Sequence, residues 1–252
     1  MEVLVFITGL MFGSFYNVVG LRLPNGESIA WPGSHCPKCN HKLSWYENIP
    51  LFSYLFLDGK CKSCHEPISI MYPLIELLTG TLFLICYLIF GLTENFIIGL
   101  ILSSLVSIIF VSDSKYMLIL DSPLIIGSIL ILLIRYINHG ITPVWQSLLS
   151  GLLVFGLMLG LMLFGNFIFK KETMGGGDIK LSFVAGLALG PILGTFYIVL
   201  GAFLAFPYAL YITITKKENM LPFGPFLALA MLLIYFNMDK FLDFIYYILR
   251  LK

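Results

Sequence analysis

Charge is scarce in this chain. Lys and Arg number 15 and Asp and Glu 14, only 12% of 252 residues, against ~25% in soluble globular proteins. A water-soluble domain could not cover itself with so little charge, which excludes a soluble enzyme and a disordered tail. The near-neutral balance of +1 gives no reason to expect nucleic acid as a partner. The amino-terminal segment lacks the basic start and the small-residue cleavage site of a secretory signal, so it is expected to remain as a span. Internal repeats are lacking as well. The five cysteines do not make a secreted disulfide scaffold.

What is present is apolar: 59% of the residues are hydrophobic. Runs long enough to cross a hydrocarbon core, which needs about 20 residues per helix, recur along the chain. Eight candidate helices emerge, at roughly 3 to 22, 72 to 91, 95 to 112, 122 to 137, 144 to 169, 178 to 190, 192 to 214 and 222 to 237, the sixth being short. The expected fold is an all-α polytopic membrane protein with about eight transmembrane helices. Its parts are a first helix (1–23), a cytoplasmic loop (24–71), a membrane core (72–237) and an amphipathic carboxy-terminal segment (238–252). Orientation follows from the excess of Lys and Arg in cytoplasmic loops. With 24–71 cytoplasmic, that side holds Arg22, Lys38, Lys42, Lys60, Lys62, Lys115, Lys170, Lys171, Lys180, Lys216 and Lys217; Arg135, Lys240, Arg250 and Lys252 lie opposite.

Four cysteines form two C-x-x-C knuckles in the polar loop, Cys36 with Cys39 and Cys61 with Cys64. Zinc takes four thiolates in a tetrahedron, and paired knuckles supply them. Disulfides are the rival reading, disfavoured in a reducing cytoplasm. His35, His41 and His65 flank the knuckles and could replace a cysteine, but with four thiolates available they read as solvent-facing. A site closed by four protein ligands has no place for water, so this zinc is expected to be structural. Cys86, alone in an apolar helix, reads as packing.

Carboxylates at membrane depth carry information because they are costly there. Asp113 ends the third span and Asp178 opens the sixth, directly after Gly175, Gly176 and Gly177. Two spans separate them, which places both at one edge of the bilayer. Neighbouring carboxylates share a proton, one acting as base toward water while the other donates to a carbonyl, as in an aspartyl protease. The alternatives are an N-cap for Asp178 and a solvated span end for Asp113. The three glycines would allow close backbone approach and positive φ. Asp121, before Ser122 and Pro123, reads as a helix cap. Glu76 sits about one turn into the second span and should face the interior or a polar cavity, with functional and structural pairing both open. Arg22 has the ordinary reading of an anchor.

These residues together resemble a known family, the type IV prepilin peptidases, or prepilin leader peptidase/N-methyltransferases. The matching pieces are Gly13, Ser14, Phe15, Tyr16, Asn17, Val18 and Val19 followed by Arg22, Leu23 and Pro24; the cysteine knuckles; Tyr72, Pro73 and Glu76; Asp113; and Gly175 to Lys180. The G-x-G-D element is shared with presenilin-like and preflagellin peptidases, which lack the zinc loop. The resemblance implies a bacterial cytoplasmic-membrane aspartyl protease with Asp113 and Asp178 as catalytic pair and Gly175, Gly176, Gly177 and Lys180 in the active-site loop. It implies cleavage of the basic leader of type IV prepilins or pseudopilins on the cytoplasmic side, then N-methylation from S-adenosylmethionine, with zinc as structural metal. Asn17, Arg22, Glu27 and Glu76 are candidate substrate or methyl-transfer contacts, and Glu47 adds a further acid to the loop. The competing readings are a G-x-G-D protease without methyl transfer, and a small ion-coupled transporter. The latter would show duplicated halves and charges near the midplane.

Overall fold

A computed structural model describes residues 1–215 and 221–249. The Lys216, Lys217, Arg250 and Lys252 used in the orientation argument lie outside the described residues. The helices are α1 (Glu2–Arg22), α2 (Phe52–Phe56), α3 (Met71–Phe90), α4 (Glu94–Tyr116), α5 (Asp121–His139), α6 (Ile141–Phe169), α7 (Gly176–Thr215), α8 (Gly224–Phe236) and α9 (Met238–Leu249). No strand longer than an isolated bridge occurs among the described residues. Six helices are long and apolar enough to cross a membrane; α8 and α9, bent by 93° at their junction, make a seventh if taken as one broken span.

The eight expected segments are all helical, but α7 joins the sixth and seventh. It breaks at Gly190, whose φ of 79° is left-handed, immediately before Pro191; glycine permits that backbone and proline cannot continue the ladder. The two arms fold back on each other. Ser182 Oγ meets Tyr197 Oη at 3.0 Å, and a Cβ on Gly194 would lie 3.2 Å from Gly186 Cα. The first arm is therefore a short antiparallel partner of the second, and it holds Asp178 at the end nearer the polar loop.

Small residues set the helix spacing, as membrane packing favours. Cβ atoms added at Gly9 and Gly13 of α1 would each meet an α3 backbone Cα at 2.7 Å, those of Gly80 and Glu76. The core is built by α4, α7 and α8 around Leu102, Leu181, Leu187, Leu227 and Met231, all fully buried, whereas α5 and α6 leave most of their apolar surface outward. Arg135 ties the far end together, donating to Ser147 Oγ and, at 3.0 Å, to Ala188 O. Helix α9 turns Phe241 against Phe196, buries Ile245 and exposes Phe244, Tyr247 and Ile248.

Candidate active site

Asp113 lies in the last turn of α4 and Asp178 in the first turn of α7. Both carboxylates are buried, at 5% and 7% exposure. Ile119, in the short connection from α4 to α5, lies between their surroundings: a Cβ on Gly177 would meet Ile119 Cβ at 2.6 Å, and one on Gly224 would meet Ile119 Cδ1 at 2.8 Å and Asp113 Oδ2 at 2.9 Å. The Gly224 amide donates to Asp113 Oδ2 at 3.1 Å. The carboxylates are close enough to interact electrostatically. Beside them opens a cleft of about 540 Å³ lined by Leu118 to Ser122, Gly176, Gly177 and Lys180.

Several expectations change in detail. Asp121 does not cap α5, whose N-cap is Leu120 with no side-chain cap bond; its carboxylate instead accepts Lys180 Nζ with both oxygens at 2.7 Å. Asp178 is the third residue of α7, inside the first turn rather than at its N-cap. Gly175, Gly176 and Gly177 all lie outside the positive-φ region; a Cβ would be crowded at Gly177 by Ile119, would make ordinary contact with Asp178 Oδ2 at Gly175, and would meet nothing at Gly176. Gly224 and Ile119 were not singled out by sequence. The Gly-Pro pair opening an apolar run at Gly224 and Pro225 was the available signal.

The polar loop is organised around its cysteines. The four Sγ atoms lie within 4.8 Å of one another, with Cys36 to Cys64 at 3.8 Å and Cys39 to Cys61 at 3.9 Å. A tetrahedron with Zn–S of about 2.3 Å has edges of about 3.8 Å, whereas a disulfide requires about 2.05 Å. The donor set therefore fits a four-thiolate metal. Both knuckles share one backbone design: the amide of the residue after the second cysteine donates to the first cysteine's carbonyl, Asn40 to Cys36 and His65 to Cys61, each at 2.9 Å. Asn40 and His65 both take left-handed φ. Backbone amides of Cys39 and Lys38 push the Cys36 thiol down to about 6, which favours the thiolate a metal needs.

None of the three histidines belongs to the metal cluster. His41, half-buried rather than free in solvent, pairs with Glu47 at 3.3 Å. Glu47 is buried at 6% exposure and closes a capping box with Ser44. The Ser44 amide, first, and His41 beside it hold the Glu47 carboxyl below its usual range. Its role is thus inside the loop's own fold. The Arg22 guanidinium donates to the carbonyls of Ser28, Pro32 and Gly33 and so shapes the loop. Asn17 is fully buried; its amide donates to Tyr72 O and Gly13 O, and its Oδ1 has no partner. Glu76 accepts the Leu51 amide at 2.8 Å. Glu27 is exposed. Asn17, Arg22, Glu27 and Glu76 therefore gather along the α1–α3 and loop side, whereas Asp113 and Asp178 sit under the α4–α5 connection. The two regions touch through Tyr116, one turn beyond Asp113, which donates to Leu21 O and accepts from Asn25. Cys86 is fully buried against Ser103, as expected for packing.

Two family models together match most of this chain. The bacterial peptidase A24 N-terminal domain model matches residues 7–90 and the type IV leader peptidase family model matches residues 100–214. A prepilin leader peptidase/N-methyltransferase of Bacillus subtilis (strain 168) is 35% identical over 245 residues, 96% of each chain. The chain belongs to the type IV leader peptidase family. Proteins of the same name from Vibrio cholerae and Myxococcus xanthus are 33% and 37% identical. The first alignment covers 93% of this chain and 96% of the relative, the second 74% of this chain and 56% of the relative. No solved structure matches. The first family model ends within α3 and the second begins in α4, so one covers the loop with the helices that carry it and the other covers both aspartates.

Proposed function

We propose that this protein cleaves the leader of type IV prepilins or pseudopilins at the cytoplasmic face of a bacterial inner membrane and methylates the new amino terminus. The observation that supports the reading is a pair of carboxylates, Asp113 and Asp178, each buried at a helix end beside an open cleft that Ile119 helps to line. One carboxylate takes a proton from water as the water attacks the scissile carbonyl; the other donates its proton to the carbonyl oxygen. Collapse of the tetrahedral adduct returns a proton to the departing amine. The Gly224 amide orients Asp113, and Ile119 packs against both Gly224 and Gly177, the residue before Asp178. The Lys and Arg excess on the polar-loop side supports a cytoplasmic placement of this end.

Cys36, Cys39, Cys61 and Cys64 would hold one zinc ion, whose full coordination by protein makes it a fold-stabilising metal. Methyl transfer acts on an amine that exists only after cleavage, and it needs a polar co-substrate, S-adenosylmethionine, arriving from the cytoplasm. A cavity of about 340 Å³ between α1 and the loop, where Ser14, Arg22, Ser34 and Asn48 stand among the apolar Met11, Phe15, Val18 and Ile29, is a concave surface of mixed character that could take it. The test is incubation of purified protein in detergent with a prepilin and the methyl donor, read by intact mass. Cleavage with methylation supports the full reading, and cleavage alone leaves a protease without methyl transfer. Loop variants should lose methylation more than cleavage, while aspartate variants should still methylate a pre-cut pilin. Joint loss of both activities in every folded loop variant would contradict that division.

A further inference from the structure

The loop carries apolar side chains that neither the metal site nor the aspartate cleft uses. Helix α2 turns Phe52, Leu55 and Phe56 to one side, at i, i+3 and i+4. They are 55%, 69% and 83% exposed, and the two phenyl rings stack at 6.4 Å. In water such a contiguous apolar patch would be unfavourable.

The depth of α2 can be read from what it is tied to. Leu51, directly before it, donates its amide to Glu76. Glu76 lies five residues inside α3, about 7.5 Å along the axis at 1.5 Å per residue. Helix α3 has 20 residues, about 30 Å, which matches the hydrocarbon thickness with nothing to spare. Its first residue, Met71, must then sit at the hydrocarbon boundary, with Glu76 below it. Because helical side chains lean toward the amino terminus, Leu51 lies between the level of Glu76 and that boundary. A second marker agrees: Pro50 shares a cavity wall with Ser14, which is eight residues before the loop-side end of α1 at Arg22. Ile70, just before α3, and Leu74 and Leu77 on its outward face begin at the same level. Lys60 follows α2 and is exposed, a cation suited to anionic headgroups, while the Lys62 ammonium donates to Tyr46.

We propose that α2 is an interfacial anchor: Phe52, Leu55 and Phe56 enter the lipid at the boundary of headgroups and acyl chains and seat the zinc loop on the bilayer. The Glu76 to Leu51 hydrogen bond is the clasp that sets its height. This holds whatever reaction the loop serves.

The experiment uses the full chain with Trp31, Trp45 and Trp145 replaced by phenylalanine and F56W as the only indole. The protein is reconstituted in vesicles of phosphatidylcholine and phosphatidylglycerol carrying bromine at shallow or deep acyl positions. Zinc content confirms that the loop is folded, and F52W serves if F56W does not hold zinc. The proposal expects blue-shifted emission and loss of most of the signal to shallow bromines, with less loss to deep ones. Emission at the wavelength of a water-exposed indole, unquenched by any brominated lipid, would overturn it. So would an indole that shifts only when a pilin peptide is added, because the face would then be a protein-docking surface.

Discussion

Gly177→Ala tests whether the aspartate pair depends on the packing around Ile119. The added methyl would lie 2.6 Å from Ile119 Cβ, 3.3 Å from its Cγ1 and 3.5 Å from its Cα. No flexible side-chain end is available to move aside, because Ile119 is β-branched and buried, so the α4–α5 connection or the first turn of α7 must shift. Overpacking of this kind disfavours the native arrangement by about 1–3 kcal/mol, whereas replacing glycine by alanine within a helix favours it by up to about 1 kcal/mol. If the difference falls on the alignment of Asp178 with Asp113, cleavage slows by up to roughly 30-fold at 1.4 kcal/mol per tenfold. Gly156→Ala, in α6 and away from the cleft, is the internal control: its Cβ would meet nothing within 4 Å, so only the helix-propensity gain remains. The assay is prepilin cleavage in detergent under substrate excess, with thermal unfolding of the same preparations. Unimpaired cleavage in Gly177→Ala, or equal impairment in both variants, would refute the packing argument.

Replacing Cys36 and Cys39 by serine should release one zinc ion per chain and unfold the loop, since binding energy in such modules is also folding energy; undiminished zinc by metal analysis would contradict the ligand set. Glu47→Ala leaves the Ser44 amide and His41 without their buried acceptor and should weaken the loop by about 1–3 kcal/mol, visible as faster zinc loss to a chelator, whereas wild-type retention would refute a structural role. The Lys180 to Asp121 pair is exposed, at 50% and 57% of the side chains, where ion pairs contribute about 0–1 kcal/mol; Lys180→Gln should therefore slow cleavage by no more than about fivefold, and complete loss would assign Lys180 to the chemistry.

Much of this architecture was legible in the sequence because lipid imposes it. Spanning helices need long apolar runs, so the segments could be marked from composition, and counting spans put Asp113 and Asp178 at the same edge. The knuckles were legible because their spacing is local, and the structure repeats one hydrogen-bonding design at both. Contacts made across the bundle left no such mark. The Gly224 amide reaches Asp113 from the far end of the chain, and Asp121 meets Lys180 rather than its own helix end. The break at Gly190 was visible as a gap between the short sixth segment and the longer seventh, but not the closure of its arms, which depends on Gly186, Gly194 and the Ser182 to Tyr197 contact. Glu47 was read only as a further acid of the loop, although Ser44 and Glu47 stand three apart, the spacing of a capping box.

The central claim is that Asp113 and Asp178 together cut the leader. It is tested most directly by incubating wild-type, Asp113→Asn and Asp178→Asn proteins, each shown to retain zinc and its thermal unfolding profile, with the same prepilin and the methyl donor, and measuring the intact mass of the pilin. The wild-type product should lose the leader and gain one methyl group, and in both variants the prepilin should keep its full mass, because a shared-proton pair fails when either member loses its ionisable group. Leader removal at the wild-type rate by either variant would contradict the account.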